Sequence, residues 1–127
     1  MNGKHKIALA ALLGAVLGGS AVQGLHAQSK PKAYIVTENE MIDATAQAAL
    51  APLNAAAQRA AGGRTLSTAG GKIVAFVGTP PERIGISEWD SLEQALAFRN
   101  SAAWRSLEPM REKAVRVVRA YAVEATR

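Results

Sequence analysis

Twice in this chain a short run of β-branched and aromatic residues leads straight into a helix-capping signature. Residues 32–37 (KAYIVT) precede Thr37-Glu38-Asn39-Glu40, and residues 83–89 (RIGISEW) precede Asp90-Ser91-Leu92-Glu93. In each signature a Thr or Asp oxygen is placed to accept from the first free amides of a helix. A Glu three positions on reaches back to the cap. The runs themselves have the composition of strands. A chain that passes from strand to helix twice is expected to bury both helices against one face of a sheet.

The other elements fill in around these two units. The first helix is expected to reach Ala61, because Ile42, Ala46, Ala49, Leu50, Leu53, Ala57 and Ala60 recur every three or four residues. Pro52 inside it predicts a kink near Ala51 rather than a stop, and Gly62-Gly63 ends it. Residues 64–67 and 72–77 (KIVAFV), joined by Ala69-Gly70-Gly71, predict a hairpin, followed by a stiff loop with Pro80 and Pro81. The second helix runs to Arg99 and breaks at Asn100-Ser101. A further helical piece carries Trp104, Leu107, Met110 and Ala114 on one face, and residues 115–124 (VRVVRAYAVE) form the last strand. The order is strand, helix, hairpin, strand, helix, strand. It predicts an α+β fold close to the ferredoxin-like pattern, an antiparallel sheet with two helices on one face.

Residues 1–27 read as an export signal: Lys4 and Lys6 precede an apolar run at 7–17, which Gly18, Gly19 and Ser20 end. Even extended to Val22, the run is shorter than the roughly 20 residues needed to cross a bilayer. Cleavage after Ala27 is therefore expected, leaving no stable membrane anchor and a periplasmic or secreted product. Residues 28–31 are expected to be a flexible leader and 32–125 the folded domain. His5 and His26 leave with the signal, and the chain has no Cys. The domain that remains excludes Ser-His-Asp and Cys-His catalysis, Cys/His zinc sites, His-ligated haem and disulfides. No carboxylate cluster has metal-ligand spacing, so neither a metal nor a cofactor is expected. Arg99, Arg105, Arg111, Lys113, Arg116 and Arg119 form a basic stretch, but Glu108 and Glu112 interleave it as local pairs. Without an aromatic strand motif that stretch does not suggest nucleic acid.

Large apolar side chains make up only about a quarter of residues 28–127, and alanine about a fifth. Each large side chain contributes about 1.5–3 kcal/mol on burial, against about 1–2 kcal/mol of backbone entropy for every ordered residue. A core this thin, under a sheet with one bare face, predicts a homodimer closed sheet against sheet.

Residues 32–125 resemble the domain of unknown function 1330 family, within the dimeric α/β-barrel superfamily. The resemblance is carried by KAYIV, Gly62-Gly63-Arg64, Pro81-Glu82-Arg83 leading into IGISEW, and NSAAWRSLEPMREKA. Here Glu88-Trp89-Asp90-Ser91 stands where the family typically has Glu-Phe and a Pro or small residue. Ser101 and Trp104 stand where a Ser and then a Tyr are common, so the Tyr hydroxyl is lost. The resemblance implies a homodimer whose two sheets enclose a barrel, often with a cleft between sheet and helices, and implies no reaction.

The candidate site residues are Glu88, Trp89, Arg119, Tyr121 and Arg83. Strand alternation puts Ile84, Ile86 and Glu88 on one face and Arg83, Ser87 and Trp89 on the other. It also groups Val117, Arg119, Tyr121 and Val123. A carboxylate on an apolar face is costly unless paired, so Glu88 is either a buried base or ligand contact, or half of a structural ion pair. Arg119 or Arg83 would anchor an anion, with Tyr121 as a hydrogen-bonding wall. Trp89 would either stack a flat ligand or pack in the core, and Trp104 fits core packing. Three functions remain open. One is a cleft for a small anionic or aromatic molecule, another a structural or partner-binding dimer, the third a cofactor-independent oxygenase or isomerase using Glu88 or another carboxylate as base.

Overall fold

A computed structural model describes residues 30–126 of the chain. The expected export signal and the first two leader residues lie outside them. Eight elements follow one another. They are β1 (Ala33–Met41), α1 (Ala44–Ala60), β2 (Arg64–Leu66), β3 (Arg83–Trp89), α2 (Leu92–Arg99), α3 (Ala102–Ser106), α4 (Glu108–Ala114) and β4 (Val115–Glu124). All strand pairs are antiparallel, in the order β2-β3-β1-β4. This is an α+β sheet of the ferredoxin-like kind with helices packed on it.

β1 runs past its expected end. Thr37-Glu38-Asn39-Glu40 stays in the strand, because its carboxylates pair across to β4. Arg119 grips Glu38 with two bonds (Nε to Oε2 2.6 Å, Nη2 to Oε1 2.9 Å), and Arg116 holds Glu40. Long-range pairing thus outcompetes the local capping box. Asp43 caps α1 instead, its Oδ1 accepting from Thr45 N (2.9 Å) and Ala46 N (3.0 Å). α1 continues through Pro52. The second cap is displaced too, by a single residue. Ser91 caps α2, accepting from Gln94 N at 3.1 Å, while the Asp90 carboxylate lies 3.4 Å from Arg64. Asn100-Ser101 breaks the helix as expected. Pro109, in the first turn of α4, then separates α3 from α4 at Leu107.

The expected hairpin is not formed. β2 pairs with β3, Arg64 opposite Glu88 and Leu66 opposite Ile86, and residues 72–77 belong to no strand. β-forming composition requires an edge to pair with and a face to bury on, and residues 72–77 pair with no edge of their own sheet.

Gly62-Gly63 closes α1 with a Schellman pair, Gly63 N to Gln58 O (2.8 Å) and Gly62 N to Arg59 O (3.0 Å). Gly62 has φ +94°, while Gly63 is required for another reason: a Cβ there would lie 2.6 Å from the Trp89 ring. Trp89 is fully buried among Ala33, Ile35, Ala95 and Phe98, a second cluster holding Leu50, Ala114 and Val115. Gly63→Ala is expected to destabilise the fold by about 1–3 kcal/mol, the usual cost of overpacking. Urea unfolding followed by tryptophan fluorescence measures this, and an unchanged midpoint would show that the Trp89 seat yields freely.

Candidate functional site

Between the two core clusters lies a cavity of about 160 Å³, walled by one face of α1, by β1, β2 and β3, and by Arg99, Trp104 and Arg111. A cavity near 150 Å³ accepts a molecule about the size of benzene. α1 meets this cavity with Gln47, Leu50, Asn54 and Gln58, spaced so that they lie on one side of the helix. The inward stripe is therefore rotated from the expected one: Ile42 and Leu53 are exposed, and polar amides occupy the inner face. Asn39 Oδ1, Gln47 Oε1 and Asn54 Oδ1 are buried without a hydrogen-bond partner. All three residues line the same cavity. Buried polar atoms are nearly always paired in folded proteins, and the three that lack a partner among the described residues belong to residues lining one cavity.

The opposite wall is cationic. Arg99 lies 4.0 Å and Arg111 3.4 Å from the Trp104 ring centre. Trp104 in turn meets Phe98 edge-on at 5.5 Å, and Phe98 stacks on Trp89 at 5.0 Å. Arg111 donates to Trp104 O at 3.1 Å. Among the described residues neither arginine forms an ion pair. Burial pushes both guanidinium groups below their ordinary value; for Arg111 the nearness of Arg99 adds to it, while Glu108 and Glu112 oppose it. An anion between them would relieve both penalties. Beyond Trp104 a more open groove of about 460 Å³ shares these arginines but also borders Glu108 and Glu112.

The sequence candidates are divided between the two faces of the sheet. Glu88, Arg119 and Tyr121 are on the face away from the helices, in the rows Tyr34–Glu88–Val123, Glu38–Arg119 and Val36–Tyr121. Glu88 is bound by Lys32 and Arg64, each at 2.5 Å. Arg119 is spent on Glu38, four residues along β1 from the Glu88 row. Val117 does not share their row: a register shift in β4 pairs it with Asn39. Trp89 faces the helices, its Nε1 donating to Ser87 Oγ at 2.9 Å, and is sealed in the core. Of the five, only Arg83 lines the cavity. The five do not form one site. The cavity residues that sequence reading missed did leave a signal, since Gln47, Asn54 and Gln58 recur at helical spacing beside Leu50.

The protein-family comparison matches residues 32–126 to a domain of unknown function, DUF1330. The chain belongs to the DUF1330 family. No curated protein matches it. Among solved structures, the DUF1330 chain is similar to RPA0582, a protein of unknown function from Rhodopseudomonas palustris. The TM-score is 0.62 at 14% identity over 85% of this chain and 93% of that one. The methylated form of RPA0582 gives 0.60 at 13% identity, over 85% and 91%. At such identities the likeness establishes a shared fold. Among the described residues of this DUF1330 domain no helix is long and apolar enough to cross a membrane, and no cluster of three metal-binding side chains occurs.

The carboxyl groups on the bare face respond to pH. Hydrogen bonds from Arg119 hold Glu38 below the usual carboxylate range, and those from Lys32 and Arg64 do the same for Glu88. A carboxylate whose folded pKa is depressed adds stability above its unfolded value, about 4.3 for Glu. That stability is lost as pH falls through the folded value. The melting temperature is therefore expected to fall as pH drops below roughly 4.5. In the Glu38→Gln/Glu88→Gln protein the fall should be shallower and start from a lower melting temperature at pH 7. Calorimetry across pH checks this, and superimposable acid limbs would refute it.

Proposed function

We propose that this protein is an exported homodimer that binds a small anionic molecule in the cavity between α1 and the sheet. A carboxylate that also carries hydroxyl or amino donors fits the lining best. One observation carries the reading: two half-buried arginines without an ion-pair partner and three buried amide oxygens without a hydrogen-bond partner line the same cavity. The arginines suit the carboxylate and the amides suit its donors. Trp104 and Phe98 supply a flat apolar wall. Export rests on the basic, apolar and small-residue sequence of residues 1–27. Dimerisation is supported by the thin core and by the bare sheet face, where Leu66, Tyr121 and Val123 are 39–50% exposed.

Binding is favoured over catalysis on chemical grounds. The cavity lining contains no carboxylate, and Glu88 has its pKa displaced away from neutrality, the wrong direction for a general base. A dimer without a ligand is the second reading, favoured by the same bare sheet face.

Native mass spectrometry of the protein purified gently from its own compartment tests the proposal. A reproducible extra mass is expected on the wild type and on Arg119→Ala. Arg111→Gln should weaken retention roughly tenfold or more, the scale of one charge-assisted hydrogen bond of about 1.5–3 kcal/mol. If no small molecule co-purifies and a panel of small hydroxy and amino acids leaves the melting temperature unmoved, the ligand-free dimer becomes the better reading.

A further inference from the structure

Residues 72–77, Lys-Ile-Val-Ala-Phe-Val, are rich in strand-forming side chains. Among the described residues they hold the most exposed large apolar side chains, Phe76 97% and Val77 93% accessible, with Val74 64%. Their backbone makes no hydrogen bond to another backbone group of the described residues. Gly70 and Gly78, with φ +80° and +75°, stand on either side. An apolar segment this exposed is a binding element or an aggregation hazard.

The same chain carries an acceptor. β4 is an outer strand of the sheet, with no strand beyond it among the described residues. Its first half is blunted by Arg116, Arg119 and a register shift at Val118. Its second half, Ala120 to Val123, has no charge, proline or bulge, although exposed strand edges are ordinarily protected by such devices. Donor and acceptor are similar in length and are not joined within one chain.

We infer that residues 72–77 of one copy pair with the outer edge of β4 in a second copy, reciprocally, adding a fifth strand to each sheet. Charge sets the direction. Placing Lys72 opposite Glu124 makes the pairing antiparallel, and the side chains then alternate in size across it. Val74 falls opposite Ala122, Ala75 opposite Tyr121 and Phe76 opposite Ala120, a bulky residue facing a small one in each case. Buried aromatic side chains cover about 150–250 Å² each, and stable interfaces bury about 800 Å² per partner. Each exchanged arm would add Val74, Phe76 and Val77 to the area that the bare sheet face supplies toward that scale. Pairing of the two arms with each other would make only an isolated ribbon and leave both β4 edges open. The inference rests on the homodimer proposed above and specifies how its two copies are joined.

The test uses protein expressed from the full 127-residue sequence. Phe76 packs against nothing in its own chain, so Phe76→Asp is expected to give a monomer by light scattering with an unchanged far-ultraviolet spectrum. The chain has no Cys, so Ala75→Cys/Tyr121→Cys reports the pairing without background. Mild oxidation should give a covalent dimer whose peptide map links residues 75 and 121, as opposed strand residues come within disulfide reach. A Phe76→Asp protein that stays as dimeric as the wild type would overturn the arm exchange while leaving the homodimer in place. A disulfide dimer of Ala75→Cys alone would replace it with arm-to-arm pairing. A monomeric wild type would remove both the exchange and the dimer.

Discussion

The Trp89 indole is enclosed by Ala33 and Ile35 of β1, Ala95 and Phe98 of α2, and the backbone of Gly63 at the end of α1. That one side chain joins the sheet to α2 and to the end of α1. Its Nε1 is satisfied by Ser87, two residues back on the same strand, so its burial leaves no polar group unpaired. Phe98 is aligned by stacking on Trp89, Trp104 is aligned by Phe98, and Trp104 holds the two arginines. The cationic wall of the cavity is thus positioned by a row of rings that begins in the densest part of the core. In so alanine-rich a domain, few other side chains are large enough to transmit position over that distance.

The cavity exists because the core is in two pieces. The Trp89 cluster fills one end of the space under the helices and the Leu50–Ala114–Val115 cluster the other. Between them α1 presents Gln47, Asn54 and Gln58 where a continuous core would need leucines. Buried amides without partners cost stability, and natural sequences tolerate such local conflicts chiefly at functional sites. The bare face of the sheet follows the opposite rule. Its charges are matched across strands, Glu38 with Arg119 and Glu88 with Lys32 and Arg64, between rows of Val36, Ile84, Ile86 and Tyr121. Satisfied charges amid apolar rows make a surface suited to another protein surface rather than to a small ligand.

Much of this was legible in the residues. The strand-to-helix order, the glycine pair after α1, the break at Asn100-Ser101 and the last strand follow from local chemistry, because caps, turns and proline act within four or five residues. The alternation that separates Glu88 from Trp89 was legible too. The site was not. Counting apolar residues along α1 selected Ile42 and Leu53, whereas the fold turned Gln47, Asn54 and Gln58 inward. A helix composed mostly of alanine has only a weak preferred face. Arg99 and Arg111 read as members of a basic stretch, and only the fold brings both against the ring of Trp104.

The amino-acid sequence by itself determined an α+β domain without histidine or cysteine, and therefore the narrow range of chemistry open to it. The tertiary structure decided which residues meet. Glu38 and Glu40 lie in a capping signature, yet they bind arginines about 76–81 positions away and keep β1 extended. Residues 72–77 have the composition of a strand yet pair with no edge of their own chain. Both outcomes have the same physical cause: a hydrogen-bonding group takes the strongest partner within reach, and folding, not sequence separation, sets what is within reach.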